Sequence, residues 1–178
     1  MPFELNSFKT ALIGEGARPT LFDVILTFPG GIGGALAATK LNFTCKAAQL
    51  PGKTLGVIEV PYFGRKIKVA GDQTFAEWTV TVINDEDFVT RNAFESWMSS
   101  INQHNSNLRT NPTYHASAVV TQYSKVGIPV KSYKFEGVWP SDLSPIDVSW
   151  ESNDTIEEYT VTLNYNWWES VGTSDLGA

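Results

Sequence analysis

One cysteine in 178 residues leaves this chain unable to form an internal disulfide, so nothing in it calls for an oxidising compartment. Cys45 lies in Leu41-Asn42-Phe43-Thr44-Cys45-Lys46-Ala47, in phase with Leu41 and Phe43, the placement of a buried core thiol. Basic charge is also scarce. Thirteen Lys and Arg stand against 19 Asp and Glu, a formal net charge of −6. A protein that grips nucleic acid carries a basic face to neutralise phosphates, and this chain would repel DNA on average. The opening Met1-Pro2-Phe3-Glu4-Leu5-Asn6 has no basic region followed by an apolar run, so it does not read as a signal peptide. No apolar stretch approaches the length of a membrane span. The expectation is a soluble protein made in a cytosol, with no membrane insertion of its own.

Catalytic and cofactor signatures are equally thin. His104 and His115 are the only histidines, with no Cys beside them and no H-x-x-x-H spacing, a poor set for a metal. Gly-x-Ser-x-Gly does not occur. The run Pro29-Gly30-Gly31-Ile32-Gly33-Gly34 fits neither G-x-G-x-x-G nor the P-loop, and reads as a hairpin tip. The acids Asp85, Glu86 and Asp87 read as helix-start residues. Glu151, Asp154, Glu157 and Glu158 read as a turn and a solvated strand start, leaving a carboxylate pair for glycoside hydrolysis without a pocket. The chain is expected to be no enzyme and to hold no cofactor or metal.

What is present is a β pattern rich in aromatics. Hydrophobic residues make up 42% and aromatics 12%, with six Trp, suited to a β-rich core or a large buried interface. The length fits a single domain over 1–178, with an arm at 1–19 and a polar tail at 169–178. Phe22, Val24, Leu26 and Phe28 alternate as in a strand, and Leu41 to Ala47 reads as its return across a long tip. Leu55 to Tyr62 and Arg65 to Ala70 form a second strand pair, with Pro61 near its tip and Gly71-Asp72 as a turn. Phe75 to Ile83 alternates, placing Ala76, Trp78, Val80 and Val82 on one face.

Asn84 to Asp87 offers a cap for a helix whose Phe94, Trp97, Met98 and Ile101 form one stripe, expected to pack on the sheet. Further strands are predicted at Ala116 to Tyr123, Lys131 to Trp139, Ile146 to Trp150 and Tyr159 to Trp167, with a turn from Pro140 to Pro145. About eight strands and one helix give a mainly β fold, a small barrel or sandwich with a flanking α-helix.

Arg65, Lys66 and Lys68 alternate with Ile67 and Val69, a solvated or charge-protected strand or an interface for a neighbour's acids. Trp139, Trp150, Trp167 and Trp168 raise an alternative, a non-enzymatic β-sandwich holding carbohydrate on exposed aromatics.

The run Gly64-Arg65-Lys66-Ile67-Lys68-Val69-Ala70-Gly71-Asp72-Gln73-Thr74-Phe75-Ala76-Glu77-Trp78 through Asn84-Asp85-Glu86 resembles the central segment of tail tube proteins of contractile-tailed, T-even-type bacteriophages. Gly137-Val138-Trp139-Pro140 and Trp150-Glu151-Ser152-Asn153-Asp154-Thr155-Ile156-Glu157-Glu158-Tyr159 continue the match, which runs from about Arg18 to Glu169. The Pro29 to Thr39 tip and the tail after Glu169 depart from that pattern. The resemblance implies a structural virion protein forming stacked hexameric rings, with a sheath outside and a baseplate and terminator at the ends. Genomic DNA would pass through the lumen without specific binding, and the tube would be assembled in the host cytoplasm. Subunit-interface candidates are then Arg65, Lys66, Lys68, Asp72, Trp139, Asn153, Asp154 and Glu157.

Overall fold

The computed structural model describes residues 5–12, 16–32, 34–103 and 113–171. Nine strands and three helices are found among them. In chain order they are α1 (Leu5–Ala11), β1 (Phe22–Leu26), α2 (Gly34–Thr44), β2 (Cys45–Ala48), β3 (Lys53–Tyr62) and β4 (Arg65–Phe75). β5 (Trp78–Ile83), α3 (Val89–Ile101), β6 (Ala116–Tyr123), β7 (Pro129–Leu143), β8 (Glu158–Asn164) and β9 (Trp167–Val171) follow. The class is mainly β with helix flanking the sheet.

Seven strands make one antiparallel sheet in the order β1-β6-β7-β8-β5-β2, while β3 and β4 pair only with each other. β7 is long enough to pair with β9 through Ser132 to Glu136 and with β8 through Trp139 to Leu143, along the same edge. Between these stretches sits Gly137 at φ +70, where a Cβ would stand 2.3 Å from the amide nitrogen of Asn166. Asn166 itself donates its backbone N–H to Glu136 O at 3.0 Å. Glycine is required at this corner by both φ and space, and the corner bends the sheet over its contents.

Those contents follow from strand alternation. Val24 and Leu26, Ala118 and Val120, Phe135 and Val138, Tyr159, Val161 and Leu163, and Trp78, Val80 and Val82 all point inward. Leu41 of α2 and Phe94 and Trp97 of α3 close the open side. Trp78 stacks on Phe135 at 4.4 Å, and Phe28 meets Phe94 and Trp97 at 5.2 and 5.5 Å. The buried indoles keep their hydrogen bonds. Trp78 Nε1 donates to Gln49 O and Trp97 Nε1 to Tyr114 O, both at 2.9 Å. Cys45 is half-buried against the core, not within it as expected, and its desolvation pushes the thiol up to about 12, so it stays protonated.

Several segments differ from the sequence expectation. Residues 34–44 are a helix, not a loose tip and returning strand. Ala35, Leu36, Ala37 and Ala38 are strong helix formers. Ala37 and Leu41, four apart, are buried while Phe43 faces solvent. Gly34 starts the helix against Phe28, where a Cβ would come within 2.3 Å of that side chain. Leu5–Ala11 is a short helix within the expected arm. Gly71 and Asp72 lie inside β4 beside a bulge, not in a turn.

α3 begins at Val89 after Phe88 in a left-handed conformation, so Asn84 is not its cap and the acids precede rather than fill its first turn. β7 runs through Pro140 to Leu143, and Ile146 to Trp150 pairs with no strand among the described residues. The single strand expected over 159–167 is two, broken at Tyr165 and Asn166. β4 and β5 are likewise separated at Ala76 and Glu77. His104 and the tail beyond Val171 lie outside the described residues.

Asp87 Oδ1 accepts from Val89 N, the first N–H of α3, at 3.2 Å, and Asp85 and Asp87 share a further task. Lys40 of α2 donates to Asp85 at 2.7 Å and also to Asp87, tying α2 to the turn before α3. The Lys40 hydrogen bond holds the Asp87 carboxyl below the ordinary aspartate range. A depressed carboxyl pKa contributes stability above its unfolded value and loses it as pH falls through its folded value. Lys40→Met should therefore lower the melting temperature slightly at neutral pH. The gap to the parent should close as acid titrates Asp87; a gap that persists in strong acid would contradict the linkage.

Candidate assembly surface

The β3–β4 ribbon stands apart from the core. Its strands, ten and eleven residues long, are exposed almost throughout. Pairing runs from Tyr62↔Arg65 to Val57↔Ala70, shifts at a bulge, and resumes from Leu55↔Gln73 to Lys53↔Phe75. At the bulge a Cβ on Gly71 would lie 3.2 Å from the Gly56 carbonyl, and a Cβ on Gly56 would lie 3.2 Å from Asp72 O. The tip is Phe63-Gly64, both with positive φ, the two-residue turn that matches strand twist. A bulky residue in that conformation is strained, yet Phe63 holds it while 93% exposed.

The register sorts the ribbon into two faces. Ile58, Val60 and Tyr62 lie beside Val69, Ile67 and Arg65 on one. Val57, Glu59 and Pro61 lie beside Ala70, Lys68 and Lys66 on the other. The second face is partly self-satisfied, since Lys66 donates to Glu59 at 2.6 Å. The first is a row of apolar side chains, all exposed. Contiguous apolar patches of this kind on a soluble chain mark interaction surfaces. A lone two-stranded hairpin is also marginal in water without something packed on it.

The predicted interface residues fall into two groups, one on the β3–β4 ribbon and one in the loop before β8. Lys66 and Lys68 share the polar ribbon face, Arg65 ends the apolar face, and exposed Asp72 sits at the bulge. Asn153 and Asp154 are exposed in the 144–157 loop, and Glu157 closes it by accepting from Asn84 Nδ2 at 2.8 Å. No ion pair joins the two groups among the described residues. Trp139 belongs to neither: it is half-buried against the core and edge-on to Tyr114 at 6.3 Å. Trp168 also packs on the core and donates to Gly52 O at 3.3 Å. Two of the four tryptophans suggested as a carbohydrate platform are thus occupied within the fold.

Sequence reasoning missed Ile58, Val60, Ile67 and Val69 as surface residues. Their alternation is the same as that of a strand packed on its own core. Phe63 was the available signal, an aromatic directly before a hairpin glycine where Asn or Asp is usual. The other solvent-facing rows are quieter. On β5 and β8, Thr79 pairs with Thr162 and Thr81 with Thr160 on the face opposite the core, an uncharged polar surface. No His, Cys, Asp and Glu cluster suited to a metal occurs among the described residues. No helix among them is long and apolar enough to cross a membrane.

Comparison with known proteins places this geometry. The sequence model of the phage tail tube protein family matches residues 17–171. Tail tube protein gp19 of Enterobacteria phage T4 is 38% identical over 159 residues, covering 88% of this chain and 93% of that protein. A chain of the anti-feeding prophage tube-terminating cap superposes with a TM-score of 0.65 at 15% identity, covering 88% of this chain and 91% of that one. A chain of the PVC extracellular contractile injection system sheath-tube complex gives 0.57 at 15%, covering 92% and 97%. The last two share the fold.

Replacing Val60 and Ile67 together by Ser should change the unfolding free energy of the dispersed protein by less than about 1 kcal/mol. Trp97→Ala, in the core, should cost about 3–5 kcal/mol. Urea denaturation measures both. A cost for the ribbon pair as large as for Trp97 would mean that the ribbon face is covered within the chain.

Proposed function

The chain belongs to the phage tail tube protein family, and from that premise we propose that it polymerises as stacked hexameric rings into the inner tube of a contractile tail. It is a structural virion protein, not an enzyme. In this reading 1–178 acts as one tube domain, assembled in the host cytoplasm. A sheath lies outside it, and a baseplate and terminator stand at its ends. DNA leaves through the lumen without specific binding, as a net charge of −6 would favour.

The observation that carries the reading is the apolar ribbon face of β3 and β4. A neighbouring subunit supplies the cover that the described residues do not, and an exposed strand pair that would otherwise invite aggregation becomes a designed contact. Contacts between unlike patches close into a ring when the rotation is right and grow as a helix when it is not. Arg65, Lys66, Lys68 and Asp72 form one side of the proposed interfaces, and Asn153, Asp154 and Glu157 another. Trp139, packed against the core on an interior strand, acts there only by holding the fold in shape. The threonine rows of β5 and β8 suit an uncharged wall past which DNA slides.

Negative-stain electron microscopy across a concentration series, with and without sheared tube seeds, tests the reading. Hollow tubes or six-fold rings are expected. Dispersed monomers in every sample would overturn it. Arg65→Glu with Lys66→Glu should raise the concentration needed for growth about tenfold, equivalent to about 1.4 kcal/mol, while leaving the monomer folded. Unchanged growth would remove the basic strand from the interface.

A further inference from the structure

The loop between β7 and β8 carries a second unexplained feature. Trp150 is 101% exposed, flanked by exposed Val148 and Ile156. A tryptophan fully in water gives up more apolar burial than almost any other residue. It is also among the residue types that most often anchor interfaces. The loop presenting it is not loose. Ser144 N donates to Thr160 O at 2.9 Å, Thr160 N to Ser144 Oγ at 2.8 Å, and Asn84 N to Glu157 O at 2.8 Å. At the tip Ser149 organises the turn: its hydroxyl accepts from Glu151 N at 3.3 Å and its carbonyl from Ser152 N at 3.2 Å. An anchor held in place before contact loses less entropy on binding.

Charge selects the occupant. Over 144–157 there are four acids, Asp147, Glu151, Asp154 and Glu157, and no base. Over 53–75 there are four of the chain's 13 bases, Lys53, Arg65, Lys66 and Lys68, against Glu59 and Asp72. Copies of a chain with net charge −6 repel each other on average, so a contact between copies needs its acidic patch set against its basic one. Arg65 and Lys68 have no ion-pair or side-chain hydrogen-bond partner among the described residues.

Position completes the argument. β4 ends at Phe75, with only Ala76 and Glu77 between it and Trp78, which pairs with Leu163. The loop ends beside Ile83, which pairs with Glu158. Ribbon root and loop therefore sit at opposite ends of the β5–β8 pair, separated by about 17 Å of strand rise.

We propose that the 144–157 loop of one copy docks head to tail on the β3–β4 ribbon of the next, with Trp150 on the apolar row of Ile58, Val60, Ile67 and Val69. The loop acids then surround Arg65 and the ribbon lysines. The inference rests on the tube reading and names the contact that would propagate it along the strand direction. Because the two patches are unlike, each copy offers one free loop and one free ribbon, and growth continues at both ends.

Intermolecular cross-linking of the full chain tests it, in a Cys45→Ala background that removes the native thiol. One preparation carries Trp150→Cys and the other Ile67→Cys; they are mixed, seeded to assemble, and oxidised mildly. A disulfide-linked heterodimer that forms only in assembled material supports the contact. Tubes without that heterodimer, or with Trp150→Cys linked mainly to itself, would overturn the contact and leave the tube reading standing. Absence of any tubes or rings from the unmodified chain would overturn both. Separately, Trp150→Ala should slow elongation by about tenfold or more, with the dispersed protein's unfolding curve unchanged. Parent-like elongation would also overturn the contact.

Discussion

Two strands of a hairpin lie in one plane, so side chains on the same face stand side by side and cannot cover one another. A row such as Ile58, Val60, Ile67 and Val69 needs a second layer, and among the described residues β3 and β4 receive none. The larger sheet solves this problem internally. Its inward rows meet each other across the Gly137 corner and are capped by α2 and α3. One part of the chain is thus a finished fold, and the other is half of a layer, which in the tube reading another copy completes.

The finished part sets the geometry of the unfinished one. Phe75, the last residue of β4, packs on Tyr165 at 5.9 Å, and Tyr165 on Phe135 at 5.0 Å, so the ribbon root is fixed to the central aromatic stack. Lys53 lies over the Trp168 ring at 5.3 Å on the same side. At the other end of β5 and β8, the Asn84 to Glu157 hydrogen bonds fix the acidic loop. A rigid strand pair between two sticky ends is the arrangement that turns one contact into a polymer.

Much of this was legible in the sequence, and the failures have physical causes. β6 is legible at its observed limits because Val119, Val120, Thr121 and Tyr123 are strand-favouring residues in one short run. The α3 stripe was equally clear. Residues 34–44 were misread because Leu41, Phe43 and Cys45 mimic period two, whereas Ala37 and Leu41 supply the packed face at helical spacing. The split at Tyr165 and Asn166 is hidden because the apolar alternation of Tyr159, Val161, Leu163, Tyr165 and Trp167 runs through it, whereas the core contact passes to Trp168 and only Gly137 on β7 marks the corner. The ribbon was legible as a strand pair. Its lack of cover was not, since a local pattern records which side chains share a face and not what lies opposite. The interface candidates come from charge and from resemblance, while the apolar row beside them comes only from the register.

In the tube reading β3 and β4 are completed by a neighbour. Amide hydrogen exchange, followed segment by segment in dispersed and assembled protein, tests it most directly. The account predicts fast exchange across Lys53–Tyr62 and Arg65–Phe75 in the dispersed chain, strong protection of Trp78–Ile83 and Glu158–Asn164 in both states, and marked slowing of the ribbon on assembly. Ribbon amides as protected in the dispersed chain as those of β8, or unchanged in the tube, would contradict it.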